Sequence, residues 1–298
     1  MSHRALTLHP DDEPGSFLAD RLDELGYVAT SFAESDRAIA WVRQHQPDLI
    51  FLNRIAPVMA AGVCETLKLD PVTNLIPIMM IVGAEENTSI NSNFHISPNA
   101  CLSEPYTAEQ LRQATQGVLT WQNDIRQQGV SSEVCFHLPS TIPSLERLTQ
   151  LLESLFRRSR VSEDEVKRLK IAVRELGINA IEWGHRKEEK KIITAIFRME
   201  SDRMTVTIRD TGPGFDPQQI PHAARPGDPV GHLEAREALG LREGGFGIVL
   251  ARGLVDELRY NERGNEACLI KYLSPAPAEA VGCLSANDCK HSNDLEGQ

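Results

Sequence analysis

Glu175 and Asn179 are a carboxylate and an amide that stand four residues apart in the run RELGINAIEWGHR, which begins at Arg174. On an α-helix this spacing places both side chains on one face. A carboxylate can accept a proton from a reacting group, and an amide oxygen is a hard ligand that suits Mg²⁺. The pair therefore predicts a polar functional site on one face of a helix.

Asp210 opens a second segment of this kind, DTGPGFD at 210–216. It ends the alternating stretch MTVTIRD, which predicts a strand. Gly212 and Gly214 then allow a tight turn, because glycine lacks the Cβ that restricts other residues. The segment predicts an acidic side chain beside a backbone that can come close to a nucleotide.

A third segment, EGGFGI at 243–248, contains Gly244, Gly245 and Gly247. It leads into an apolar stretch that predicts a helix over Phe246–Val255. The free N–H groups at a helix N-terminus form a natural phosphate site. The segment therefore predicts that these glycines lie beside the phosphates of a nucleotide.

In this order and at these distances, the three segments resemble the N, G1 and G2 boxes of the GHKL (Bergerat-fold) ATP-binding domains. Among these, the bacterial anti-sigma-factor serine kinases are the most similar. The resemblance implies that Glu175 is the general base that accepts the proton of the attacking hydroxyl group. It implies that Asn179 holds the Mg²⁺ that bridges the phosphates of ATP, and that Asp210 accepts a hydrogen bond from the adenine amino group.

Two features around these segments bear on the geometry of the site. Members of the family often carry a histidine four residues after the asparagine, where this chain has Trp183, with His185 two residues further on. We interpret both side chains as packing of the helix end on the sheet. The long stretch from Phe215 to Leu241 is interpreted as a lid over the nucleotide. Three arginines are its candidates to reach the phosphates: Arg225, Arg236 and Arg242.

The first part of the chain, residues 1–122, alternates short apolar runs with helical patterns, which predicts an α/β doubly wound parallel sheet. The order of its strand ends and turns resembles that of the receiver domain of bacterial response regulators. Each residue of the family's phosphotransfer chemistry is replaced: the phosphoacceptor aspartate by Asn53, the switch Thr/Ser by Val82 and the lysine by Glu104. An amide is a poor nucleophile, and Glu104 reverses the charge that would balance a phosphate.

The resemblance therefore implies a pseudo-receiver that cannot be phosphorylated and that serves for docking or dimerisation. The acidic pair that follows the first strand is ambiguous. Alignment on DDEP gives Asp11 and Asp12, whereas counting back from Gly26 gives His9 and Pro10. The alternative is a receiver that still binds Mg²⁺ through Asp11 and Asp12.

The second part, residues 131–273, has strands that cluster as neighbours, which predicts an α+β two-layer sandwich of mixed or antiparallel strands with helices on one face. Within it, Ser162 and Glu165 form a predicted capping box for a helix that runs to Trp183. In the first part, Ser35 is expected to cap a helix. Residues 123–130 are interpreted as a linker that can extend the preceding helix by a turn, and residues 274–298 as a disordered tail.

Composition narrows the function classes. The chain has 298 residues and a net charge of −11, which argues against nucleic acid as a partner, since its binding needs a surface of lysine and arginine. The longest apolar run, around 76–82, is too short to span a bilayer, and the N-terminus lacks the apolar core of a signal peptide. The six cysteines are scattered without a CxxC pair, which is typical of reduced thiols in a cytoplasmic protein.

The function we expect is that of a bacterial signalling protein that binds Mg-ATP and phosphorylates a Ser/Thr of a small partner protein. The resemblance implies a partner of the anti-sigma-antagonist type, with a sigma factor as a second partner for the same surface, and a homodimer. The alternative is an ATP-regulated binding module without phosphotransfer. A histidine kinase is disfavoured, because His137 lies on a predicted strand rather than in a dimerisation helix pair.

Overall fold

The computed structural model describes residues 3–10, 16–83, 93–215 and 247–273. The elements of the first part are, in chain order, β1 (His3–Leu8), α1 (Ser16–Glu24), β2 (Tyr27–Phe32), α2 (Ser35–His45), β3 (Leu49–Asn53), α3 (Pro57–Leu69), β4 (Ile78–Val82), β5 (His95–Ile96), β6 (Ala100–Ser103) and α4 (Ala108–Gln127). Among the described helices, none has the length and apolar character needed to cross a membrane.

The elements of the second part are β7 (Ser132–Pro139), α5 (Ile142–Arg157), α6 (Glu163–Asn179), a π-helical turn at Ala180–Gly184, β8 (Ile192–Met199), β9 (Arg203–Arg209), α7 (Gly247–Leu254), β10 (Glu257–Tyr260) and β11 (Glu266–Tyr272). Helix α4 continues to Gln127, through most of the segment that was interpreted as a linker.

The first sheet is parallel and has the strand order β2-β1-β3-β4-β6. This is the doubly wound order in which the chain runs from the centre to one edge and then to the other. Strand β4 is buried along its whole length, and β3 is buried from Leu49 to Leu52. Such continuous apolar strands are expected when helices cover both faces of a parallel sheet. The predicted α/β receiver-like unit is confirmed.

The second sheet is antiparallel and has the order β10-β11-β9-β8-β7-β5. Alternate residues of β7, β8 and β9 are buried, so one face of the sheet carries the core. Helices α5 and α6 supply the other half of that core, with Leu148, Leu152 and Ala172 fully buried. The predicted α+β unit with helices on one face is confirmed.

Helix ends agree with the capping predictions at one site and differ at another. Ser162 and Glu165 form the reciprocal capping box that begins α6. Helix α2, by contrast, has Glu34 as its N-cap residue and no side-chain capping bond, so the prediction that Ser35 caps it was wrong. The predicted helix to Trp183 is α-helical only as far as Asn179, and the next turn is a π-helix.

Besides the π turn, two elements were not predicted, and one of them joins the two parts of the chain. Helix α3 is mainly apolar and has little amphipathic pattern. Strand β5 has only two residues, yet it pairs with Phe136 and His137 of β7 and forms the edge of the second sheet. Ile96 is 1% exposed and belongs to the core of the second part. The first part therefore contributes an edge strand and a core residue to the second.

A side chain of α5 adds further contacts between the first and second parts of the chain. Arg147 forms an ion pair with Glu65 of α3 at 2.7 Å, and its guanidinium lies 4.5 Å from the centre of the Phe94 ring. On the other side, the indole of Trp121 on α4 donates a hydrogen bond to Glu133 of β7 at 3.0 Å. The interface thus combines strand pairing, apolar burial and charged contacts.

We predict that Ile96→Ala destabilises the whole chain by about 2–5 kcal/mol, because the substitution leaves a cavity in a core shared by both parts. The measurement is the urea midpoint followed by circular dichroism. Val72→Ala is the matched control, because Val72 is 54% exposed and its truncation should change stability by less than about 0.5 kcal/mol. Equal midpoints for the two variants would contradict the shared core.

Candidate functional site

Helix α6 presents Glu175 and Asn179 one turn apart, and the first residue of α7 lies directly against them. A Cβ added to Gly247 would be 2.7 Å from Oε2 of Glu175 and 3.8 Å from Oδ1 of Asn179. Only glycine leaves the carboxylate in this position. The structure thus brings Gly247 against Glu175, which lies 72 positions earlier in the sequence, and against Asn179.

The side chains of Glu175 and Asn179 differ in exposure and in hydrogen bonding. The Glu175 side chain is 24% exposed, and its charged neighbour Arg174 has its Nη1 atom 3.9 Å from Oε1. The Nδ2 atom of Asn179 is buried and has no hydrogen-bond partner among the described residues. A buried donor of this kind is costly unless a ligand oxygen accepts from it. The site therefore fits a phosphate-bearing ligand.

A magnesium ion also fits these residues. Within the described residues there is no group of three or more His, Cys, Asp or Glu side chains that could hold a metal ion alone. Mg²⁺ in nucleotide sites is held by one or two protein oxygens together with substrate phosphates. The Oδ1 atom of Asn179, near the N-terminus of α7, is an oxygen of the required type.

Asp210 follows β9 and lies against the π-helical turn. The N–H group of Gly212 donates a hydrogen bond to its Oδ1 atom at 2.7 Å. A Cβ on Gly184 would be 2.4–2.6 Å from the carboxyl group of Asp210, and a Cβ on Gly212 would be 2.1 Å from the carbonyl oxygen of Gly184. Two glycines therefore allow this carboxyl group to sit in the fold. Burial raises the pKa of Asp210 above its usual value, against the opposing hydrogen bond from Gly212.

The turn between β10 and β11 supports the same loop from the other side. Asn265 donates a hydrogen bond from Nδ2 to the Asp210 carbonyl oxygen at 2.8 Å. The guanidinium of Arg263 donates to the carbonyl oxygen of Gly212 at 3.0 Å. Gly214 has a φ of +77°, and a Cβ there would lie 1.9 Å from the Arg263 carbonyl oxygen. The loop is thus fixed by main-chain contacts that only glycine permits.

His185, which was interpreted as packing at the helix end, is fully buried. It also accepts a hydrogen bond at Nε2 from the N–H group of Thr211, at 2.9 Å. Sequence reasoning missed this contact, as it missed Gly184, Arg263 and Asn265. Gly184 lies within the first motif and could have been found there, whereas no spacing signal points to residues on the β10–β11 turn.

Several predicted site residues lie outside the described residues. They are Gly244, Gly245, Arg225, Arg236, Arg242, Asp11 and Asp12.

The three replaced receiver positions lie together at the carboxyl edge of the first sheet. Asn53 is in register with Ile81, and Val82 accepts a main-chain hydrogen bond from Glu104 at 2.9 Å. Arg54 forms an ion pair with Glu104, with Nε 3.3 Å from Oε2. The edge where a receiver would carry its phosphoacceptor therefore contains an amide and an internal ion pair.

Comparisons with known proteins agree with this geometry. The sequence model of the family described as "Histidine kinase-like ATPase domain" matches residues 138–271. Serine-protein kinase RsbW of Staphylococcus aureus (strain bovine RF122 / ET3-1) is 33% identical over 132 residues, which cover 44% of this chain and 79% of that protein. The chain belongs to the RsbW family of histidine kinase-like ATPases. RsbW of Staphylococcus epidermidis is 29% identical over 148 residues, which are 49% of this chain and 90% of the relative.

Solved structures that are similar to this chain match about the first two-fifths of it. A putative response regulator from Chloroflexus aurantiacus covers 40% of the chain at 19% identity, with 99% of that structure matched and a TM-score of 0.35. The receiver domain of a sensor histidine kinase from Pseudomonas aeruginosa covers 40% at 15% identity, with 99% matched and a TM-score of 0.36. The receiver-like assignment rests on the strand order of the first sheet.

We predict that Gly212→Ala weakens ATP binding by about tenfold or more, because its Cβ would displace the main chain of Gly184 and with it Asp210. The measurement is the equilibrium affinity for a fluorescent ATP analogue. Gly253→Ala is the matched control, since a Cβ at that helical glycine meets nothing within 4 Å. An unchanged affinity in a folded Gly212→Ala variant would show that Asp210 is not part of the nucleotide site.

Proposed function

We propose that this protein is an ATP-dependent protein serine/threonine kinase of the anti-sigma-factor type. The observation that carries the proposal is the contact of Gly247 with Glu175 and Asn179. A helix N-terminus, which favours phosphate, there adjoins a carboxylate that can accept a proton. Membership of the RsbW family, whose named relatives are serine-protein kinases, supports the same activity.

Each residue of the site has a part in this proposal. Glu175 accepts the proton of the serine or threonine hydroxyl group as that group attacks. Asn179 holds Mg²⁺ through Oδ1 and leaves Nδ2 for a phosphate oxygen. Mg²⁺, when bound, neutralises charge on the phosphate oxygens. Gly247 presents the N-terminus of α7 to the phosphates.

The adenine end of the site rests on Asp210. Its carboxyl group is half-buried and is held by the Gly212 N–H group, which leaves the other oxygen, Oδ2, to accept from the adenine amino group. A buried acceptor discriminates strongly, because a base without a donor at that position leaves the acceptor unpaired. We therefore propose that ATP is preferred to GTP. Gly212 and Gly214 keep the loop close to the base.

The partner proposed is a small protein of the anti-sigma-antagonist type, with a sigma factor as a second partner and a homodimer as the assembly. The pseudo-receiver is proposed to act by docking without phosphorylation. The Arg54–Glu104 ion pair supports this role, because it supplies internally the charge neutralisation that a receiver obtains from its lysine and phosphoaspartate.

We predict that Glu175→Gln retains ATP affinity and loses phosphotransfer by about 10²- to 10⁴-fold, the usual contribution of a general base. The measurement is transfer from γ-labelled Mg-ATP to a small protein of an extract from the source cells. Glu163→Gln is the matched control, because Glu163 is 63% exposed at the other end of the same helix.

Four outcomes would decide among the candidate functions. Acid-stable label that disappears only in Glu175→Gln supports the kinase. Full transfer by that variant would remove Glu175 from the mechanism. Confirmed ATP binding without any label would favour the ATP-regulated binding module, and acid-labile label would indicate histidine or aspartate chemistry.

A further inference from the structure

His185 lies where the π-helical turn ends, at the back of the loop that carries Asp210. The main-chain N–H group of His185 donates to the carbonyl oxygen of Ala180, five residues earlier, at 2.8 Å. This hydrogen bond over five residues defines a π turn. The wide turn brings the imidazole under the loop, where the whole residue is inaccessible to solvent. An α-helical continuation of α6 would have aimed this side chain elsewhere.

The hydrogen bonds of the imidazole fix its protonation state. Nε2 accepts from the N–H group of Thr211 at 2.9 Å and lies 3.1 Å from the Thr211 hydroxyl oxygen. A ring nitrogen that accepts from a main-chain N–H group carries no proton, so the hydrogen of the neutral ring is on Nδ1. Nδ1 is buried and has no hydrogen-bond partner within the part of the chain that the structure describes.

Thr211 stands between Asp210 and Gly212, so this bond holds the middle of the loop. The N–H group of Asp210 donates to the Asn265 carbonyl oxygen, and that of Gly212 donates to the Asp210 side chain. Of these three consecutive donors, the middle one depends on an imidazole acceptor. Protonation at Nε2 would place two N–H groups face to face, and the loop would have to move.

We propose that His185 is a positioning residue that holds the adenine-binding loop in place only while its imidazole is neutral, so that acid weakens nucleotide binding. The inference rests on the proposed ATP site, because it concerns the same Asp210. It adds a residue that does not touch the nucleotide and a dependence on pH that the binding residues alone do not imply.

The charged groups around the imidazole favour the neutral ring. Burial, followed by the positive charge of Lys191, lowers the pKa of His185 below its ordinary value of 6.5, and Glu188 opposes the shift. Since the folded pKa is the lower one, the unfolded chain binds more protons in this range. The contribution of the contact is therefore present at neutral pH and is lost as the pH falls below 6.5.

The experiment compares the affinity of the full chain for a non-hydrolysable ATP analogue at about pH 7.5 and about pH 5.5 in the wild type, His185→Gln and His185→Leu. Glutamine places an amide oxygen near Nε2 and does not titrate. We expect a decrease of a few-fold, less than about tenfold, in the wild type beyond that in His185→Gln, because a pKa below 6.5 leaves part of the imidazole neutral at pH 5.5. We expect weak binding by His185→Leu at both values. The nucleotide and Asp210 titrate in both the wild type and His185→Gln. Subtracting the pH dependence of His185→Gln from that of the wild type therefore leaves the contribution of His185.

Equal pH dependence in the wild type and His185→Gln would overturn the proposal, whereas no binding by the wild type at pH 7.5 would overturn the ATP site itself. Should His185→Gln fail to fold, the ¹⁵N spectrum of the imidazole in the wild type decides. A proton on Nδ1 and none on Nε2 at neutral pH supports the proposal, and the opposite tautomer contradicts it.

Discussion

The close approach of Gly212 to the carbonyl oxygen of Gly184 is the contact on which the rest of the site depends. It sets the loop after β9 against the π turn after α6, with no side chain between the two backbones. Asp210 is held in the resulting space, and Asn179 and Glu175 project from α6 about one and about two turns before Gly184. One helix and its terminal turn thereby fix the positions of Glu175, Asn179 and Asp210.

The first part of the chain contributes residues to both the sheet and the core of the second part. Strand β5 completes the edge of the second sheet, and Ile96 is buried in the core beneath α5. The interface lies on β7, two strands away from β9 and the loop that carries Asp210. The two parts therefore share one apolar core, although the receiver edge at Asn53 carries no phosphoacceptor.

Much of this architecture could be predicted from the sequence. The capping box of Ser162, the alternation in β9 and the order of the glycine segments give both fold classes and the elements that carry Glu175, Asn179 and Asp210. Strand β5 could not be predicted, because two residues carry no periodicity and their pairing is set by tertiary contact. The π turn was missed for a related reason: Ala180 and Glu182 suit an α-helix as well as a π turn, and tertiary contacts such as that of His185 with Thr211 distinguish the two.

We propose that one nucleotide occupies the space between Asp210 and the N-terminus of α7. A crystal structure of the full chain with Mg²⁺ and a non-hydrolysable ATP analogue tests it most directly. We expect the adenine amino group to donate to Asp210, Asn179 to coordinate the metal, and the phosphates to lie beside Gly247. A nucleotide bound elsewhere, or one whose adenine does not contact Asp210, would contradict it.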